Sequence, residues 1–259
     1  MNNLSTEAIV KQQARETLKH NYPRAIIALL ITLIPLYMID GTTTVISCAF
    51  MNLIPDSETA KLWIYAVGYP VEFIAGFLLS PVINGYIRAY YRCAYTKEMD
   101  LKDVFYYLEK GRYGETLGFN IRFILRMLIP TVLLYLPLIA FEIISSNIGG
   151  DFYGGLVYRD VYFLLAVLST LAVTLYALKY FTVFTACVDR EELNLSSAVE
   201  YSKYIMKNKT GSAAKLILSF TPWLLLCMLI LPALYVIPYM TQSLCVAAKW
   251  MTQASFEEN

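Results

Sequence analysis

The chain has 259 residues, 58% of them hydrophobic and 16% charged, with a mean hydropathy of +0.51. Soluble domains average about 25% charged residues and show polar helix faces, so the composition excludes an ordinary soluble domain and predicts a membrane protein. The net charge of +1 is uninformative as a total; where the charges lie carries the information.

The first 24 residues are polar and basic. The apolar run after them has no small-residue cleavage site with a polar start beyond it, so the first span is expected to stay as an anchor. Within that opening, Thr6 to Tyr22 reads as a basic amphipathic helix with Ile9, Leu18 and Tyr22 among its apolar residues. Ser5 or Thr6 suits its N-cap, and Pro23 suits the first turn of the helix that follows.

A helix crosses the hydrocarbon core with about 20 apolar residues. Six spans are predicted: Ala25–Phe50, Leu62–Ala89, Leu117–Ile144, Val161–Cys187, Ala213–Leu231 and Leu234–Trp250. The last two divide an uncharged stretch of 33 residues, Leu216 to Ala248. As one helix that stretch would be about 50 Å long, against a core of about 30 Å. Pro232 and Pro238 are expected to supply the break. Pro35, Pro70, Pro81, Pro130, Pro137 and Pro222 also fall inside spans and are expected to kink them. The fourth span has no proline and is expected to be the longest straight helix.

Of the 21 Lys and Arg residues, all but Lys61 and Arg159 fall in alternate gaps and at the helix ends beside them. The positive-inside rule makes that side cytoplasmic, which puts both termini inside the cell membrane. Tyr86, Tyr90, Tyr91 and Tyr95 cluster at the inner end of the second span. Trp63 stands at its outer end and Trp250 at the inner end of the sixth, as interfacial aromatic belts require.

The expected architecture is all-α: one polytopic membrane bundle of about six transmembrane helices with cytoplasmic amphipathic elbow helices. Each elbow (6–23, 101–112, 196–209) precedes a hairpin (25–89, 117–187, 213–250). Such elbows can lie in the headgroup layer with Lys and Arg towards anionic lipid. "ARETLKHN" at 14–21 can be laid on "SKYIMKNK" at 202–209, with "FYYLEKGRYG" at 105–114 as a looser copy. Three repeated elbow-plus-hairpin units are one reading; shared constraints on basic juxtamembrane helices are the other.

Three acids stand in apolar surroundings and are candidates for an ion or substrate site. Glu72 lies near the middle of its span, two residues after Pro70. Intramembrane acids are costly and point to function, although a neutral carboxyl bonded to a neighbouring helix is the alternative. Asp40 and Glu142 lie near outer span ends, where an interfacial role is simpler. Arg122 and Arg126 are four apart and share a helix face. They, with Lys207 and Lys209, are candidate contacts for anionic lipid headgroups; snorkelling to the interface is the simpler account of the arginines.

Catalytic chemistry is not in view. The five cysteines are isolated, with no CxxC pair, and read as packing residues. His20 is the only histidine, and no GxSxG, HExxH, Walker A or GxGxxG motif occurs. No catalytic residue, metal or cofactor is expected, and nothing points to nucleic acid.

The segment "SAVEYSKYIMKNKTGSAAKLILSFTPWLLLCMLILPALYVIPYMTQSLCVAAKW", Ser197 to Trp250, resembles the uncharacterised bacterial membrane family called domain of unknown function 975. Ala198, Ser202, Met206, Lys207 and Lys209, then Ser219, Phe220 and Trp223, then Pro238 and Tyr239, carry the likeness. "ARETLKHNYPRAIIALLITL" resembles that family's opening, and "PVINGYIRAYYRCA" followed by "LKDVFYYLEKG" its middle. The chain departs from the pattern at Asn208, Pro222 and after Leu231, where glycines are more usual. The resemblance implies an integral membrane protein and supplies no activity.

The leading functional expectation is a non-enzymatic accessory or scaffold component that acts through the lipid bilayer or a membrane-protein partner. A transporter with a central cavity near Glu72 is the alternative, and an intramembrane enzyme the third.

Overall fold

The computed structural model describes residues 6–53, 64–148, 156–189, 194–227 and 229–257. Among the described residues there are helices and turns and no strand. In chain order they are α1 (Thr6–Leu53), a π-helical turn (Ile64–Gly68) running into α2 (Tyr69–Leu78), and α3 (Ser80–Thr96). Next come α4 (Lys102–Phe105) with a 3-10 turn (Tyr106–Leu108), α5 (Arg112–Ile148), α6 (Leu156–Leu178) and α7 (Val183–Asp189). The chain closes with α8 (Leu195–Met206), α9 (Thr210–Leu218), α10 (Thr221–Leu226) and α11 (Ile230–Glu257).

Four stretches among the described residues are long and apolar enough to cross a membrane: Glu7–Ala49, Ala66–Thr96, Arg112–Ser145 and Tyr158–Asp189. They fall on the first four expected spans and make this a membrane protein. Lys61 and Trp63 lie outside the described residues.

The packed core gathers at the basic end of the helices. Val10, Ala14, Leu18, Ala25, Ala28 and Leu29 of α1 are buried against Val82, Ala89, Tyr90 and Cys93 of α3 and Val246, Ala247 and Ala248 of α11. The alanines let three helix backbones approach closely, which is how membrane helices gain contact without a hydrophobic drive between them. Tyr90 donates to the Ala25 carbonyl at 2.9 Å, and Lys249 to the Ala94 carbonyl at 2.8 Å. A second cluster joins Tyr180, Val183, Leu195, Ala198 and Val199 to Phe119 and Phe123 of α5.

The three expected elbows differ. The first is the opening of α1, a 48-residue helix that runs on without interruption, about 72 Å at 1.5 Å per residue. Its buried side chains pack against α3 and α11. The second and third are separate helices that turn into the next one at Gly111 (φ +96°) and Asn208 (φ +65°). Only glycine, and asparagine after it, adopts that left-handed backbone at low cost, so both turns carry a residue type suited to them.

Two expectations about breaks are corrected, those for the fourth span and for the last uncharged stretch. Pro35, Pro130 and Pro137 lie within uninterrupted helices, whereas Pro70 and Pro81 sit in the first turns of α2 and α3. Pro81 supplies no N–H, the Val82 amide turns to Leu79, and the Tyr113 hydroxyl of α5 donates to the Leu78 carbonyl at 2.9 Å. The proline-free fourth span is not the longest helix: α6 ends at Leu178, and a turn separates it from α7. There Ser202 of α8 donates to the Lys179 carbonyl and exchanges a hydrogen bond with Thr182, so a neighbouring helix satisfies the groups the break exposes. Finally, the last uncharged stretch breaks before Pro232 rather than at it. Pro232 falls in the first turn of α11, where a missing N–H costs nothing, and Pro238 stays inside that helix.

Candidate functional site

Polar side chains recur every fourth residue on two facing helices, so each set shares one face. On α3 they are Ser80, Asn84 and Arg88; on α5 they are Arg112, Thr116 and Asn120. Asn120 joins the two rows, donating to the Ser80 hydroxyl at 2.8 Å and accepting from the Asn84 amide at 3.0 Å. Asn120 is buried, so these bonds offset the cost of taking its amide out of solvent.

Towards the basic end, the seam becomes charged. Arg88 and Asp103 are both 7% exposed at the side chain, and Arg88 Nε lies 3.3 Å from Asp103 Oδ1. Arg92 reaches the same oxygen at 2.7 Å from a more open position. The Arg88 guanidinium also lies 3.5 Å from the Tyr106 ring centre, and Arg112 lies 3.9 Å from it. Each contact adds a cation–π attraction. Arg112 is held in turn by Glu109 at 2.6 Å. Burial pushes the Tyr107 phenol up to about 12, against the opposing effect of the nearby Arg88 charge.

Gly85 makes this arrangement sterically achievable. A Cβ there would collide with the Val104 carbonyl, so the α4 backbone can seat on α3 only at a glycine. The segments "NGYIRAYYR" and "LKDVF" thus form one structural unit: a glycine for close approach, and two arginines closing on one aspartate.

Above the clamp lies a cavity of about 210 Å³. Its walls are Asn84 of α3, Tyr106 and Tyr107 after α4, Arg112, Glu115, Thr116 and Phe119 of α5, and Phe184 and Cys187 of α7. Phe119 and Phe184 meet edge to face at 6.1 Å. Glu115 makes no hydrogen bond or ion pair among the described residues. Among those residues, no three His, Cys, Asp or Glu side chains come together to hold a metal ion.

The acids expected from the sequence stand apart. Glu72 is half-buried and lines a surface groove with Tyr69, Phe73, Gly76, Phe77, Ser80 and Ile124, rather than a central cavity. Ser80 links that groove to the Asn120–Asn84 pair. Asp40 is exposed on α1, beside Thr42 and Thr43, whose hydroxyls bond back to their own helix. Glu142 accepts from the Tyr158 hydroxyl at 2.6 Å, across the α5–α6 hairpin. Arg122 is exposed and donates to the Gly118 carbonyl at 2.8 Å, and Arg126 is exposed one turn further. Lys207 is exposed, whereas Lys209 is half-buried and lies 3.4 Å from the Met251 carbonyl.

The sequence reading passed over Asn84, Gly85, Asp103, Thr116 and Asn120, and took Arg88 and Arg92 only as topology markers. A signal was there: Glu72, Gly76, Ser80, Asn84 and Arg88 follow at intervals of four.

A family model described as Protein of unknown function (DUF975) matches residues 1–252. The chain belongs to this family. No curated protein and no solved structure matches it. The DUF975 segments that carried the likeness are the ones that meet in the clamp and in the α1–α3–α11 core.

Proposed function

We propose that this DUF975 protein is a six-span, non-enzymatic component of the bacterial cell membrane, with both termini cytoplasmic, that acts through lipid contacts as an accessory subunit. The observation that carries this reading is the surface of α5. Leu125, Leu128, Ile129, Val132 and Leu133 are exposed and apolar, and Arg122 and Arg126 are exposed at the basic end of the same surface. Apolar side chains facing hydrocarbon, with arginines at its edge, match a lipid-facing helix that holds anionic headgroups. Exposed Lys207, in the turn after α8, adds to the basic end.

Retained lipid measured by native mass spectrometry tests the reading. Wild-type protein is expected to keep phosphatidylglycerol over phosphatidylcholine, and Arg122→Gln with Arg126→Gln to lose that preference. An unchanged preference sinks the lipid-contact role, and a C-terminal reporter active only outside the cell sinks the six-span topology.

A second reading, a transporter, draws on one observation: the Glu72 groove adjoins the seam through Ser80. It predicts that Glu72→Gln changes substrate or proton movement in reconstituted vesicles. Unaltered flux in an assay that works for wild type removes it.

A further inference from the structure

We propose that the cavity between α3, α5 and α7 is a binding site for a small zwitterion carrying an anionic phosphate and an amine, the chemistry of a phosphoethanolamine group. The cavity's 210 Å³ is small beside pockets for drug-sized ligands. A headgroup-sized ligand therefore fits the space.

The lining states the ligand's charge pattern. Arg112 and Glu115 are three residues apart in the first turn of α5, on the same wall, with opposite charges. Arg112 keeps several donors beyond the one on Glu109, and a guanidinium fork matches a phosphate. Glu115, without a protein partner among the described residues, supplies the acceptor for an ammonium. Thr116 and Asn84 add polar groups between them. Arg88, another cation nearby, is held by Asp103. A simple anion would leave Glu115 opposed to it; a zwitterion gives Glu115 an ammonium and the remaining donors of Arg112 a phosphate. Tyr106, Phe119 and Phe184 close the remaining walls with apolar surface for the carbon linker.

The source is a free phosphoethanolamine or the headgroup of an aminophospholipid. The lipid draws on the lipid-contact reading above; the site itself does not. Cys187, half-buried in the cavity wall, is the reporter. In the full chain carrying Cys48→Ala and Cys227→Ala, the remaining cysteines Cys93 and Cys245 are buried, so a maleimide reads Cys187. O-phosphoethanolamine at four times its Kd is expected to slow that labelling about fivefold. Inorganic phosphate or ethanolamine alone at the same concentration is expected to leave it unchanged, and Glu115→Gln to remove the protection. Nanodiscs with and without phosphatidylethanolamine in phosphatidylglycerol distinguish the sources: protection by the lipid, the free zwitterion or both supports the site. Protection by phosphate alone, by ethanolamine alone or by nothing overturns it. So does protection unchanged in Glu115→Gln, or a Cys187 that never labels. Arg122→Gln with Arg126→Gln leaves Cys187 protection intact, so failure of the surface lipid contacts and failure of this site are separate results.

Discussion

The two halves of α1 present opposite surfaces. From Val10 to Leu29 its inward side chains are buried against α3 and α11. From Ile34 onwards, Tyr37, Met38, Val45 and Ile46 are exposed. The same division holds for α5, where Thr116 and Asn120 are buried and Leu128, Ile129 and Leu133 are exposed. Polar bonding and close backbone approach organise the basic half, where Asn120, Arg88, Asp103 and Gly85 each have a defined partner or neighbour. In the apolar half, side chains face a solvent as apolar as themselves, so sequence there is constrained by hydropathy more than by fit. The densest polar contacts, and with them a candidate site, belong to the basic half.

Substitutions in the two halves break or sharpen that contrast. The largest effect is expected from Asp103→Asn, which removes the buried carboxylate that Arg88 and Arg92 share. Breaking a buried pair costs about 3–5 kcal/mol, so the thermal midpoint in detergent should fall steeply; an unchanged midpoint would show that the clamp is not what holds α4 down. Gly85→Ala comes next. Its Cβ would meet the Val104 carbonyl, and overpacking of this kind costs about 1–3 kcal/mol. The same melt is the measurement, together with maleimide access to Cys187, which should rise as α4 lifts. Full stability and unaltered access would contradict the close approach. The smallest effect is expected from Ile129→Ala, at a side chain 64% exposed on α5. A shift within about 0.5 kcal/mol is expected, and a loss as large as that of Gly85→Ala would mean that this surface is covered by protein.

Much of the class was legible locally. Hydropathy placed the first four spans because crossing a bilayer requires a long apolar run, which is a property of consecutive residues. The left-handed turn at Asn208 is likewise a local matter, since the residue type sets which backbone conformation is cheap. Helix breaks were less legible. Proline in a membrane helix frees a carbonyl, but neighbouring groups decide whether the helix stops. Pro130 and Pro137 pass without a stop, the Tyr113 hydroxyl stabilises a stop before Pro81, and Ser202 supports one at Lys179 where no proline stands.

The candidate site shows the limit most clearly. The sequence alone determined that the charged residues gather at one end and that acids inside spans are few, because both are matters of counting along the chain. It drew attention to Glu72, Asp40 and Glu142, which the fold keeps apart. Only the tertiary structure decided that Arg88 and Arg92 close on Asp103, that Asn120 bridges Ser80 and Asn84, and that Gly85 lies under the Val104 carbonyl. Those pairs lie 11 to 40 residues apart, the closest of them across a turn. A polar side chain's worth is set by the partner that satisfies it when buried, and that partner is chosen by packing rather than by sequence neighbourhood.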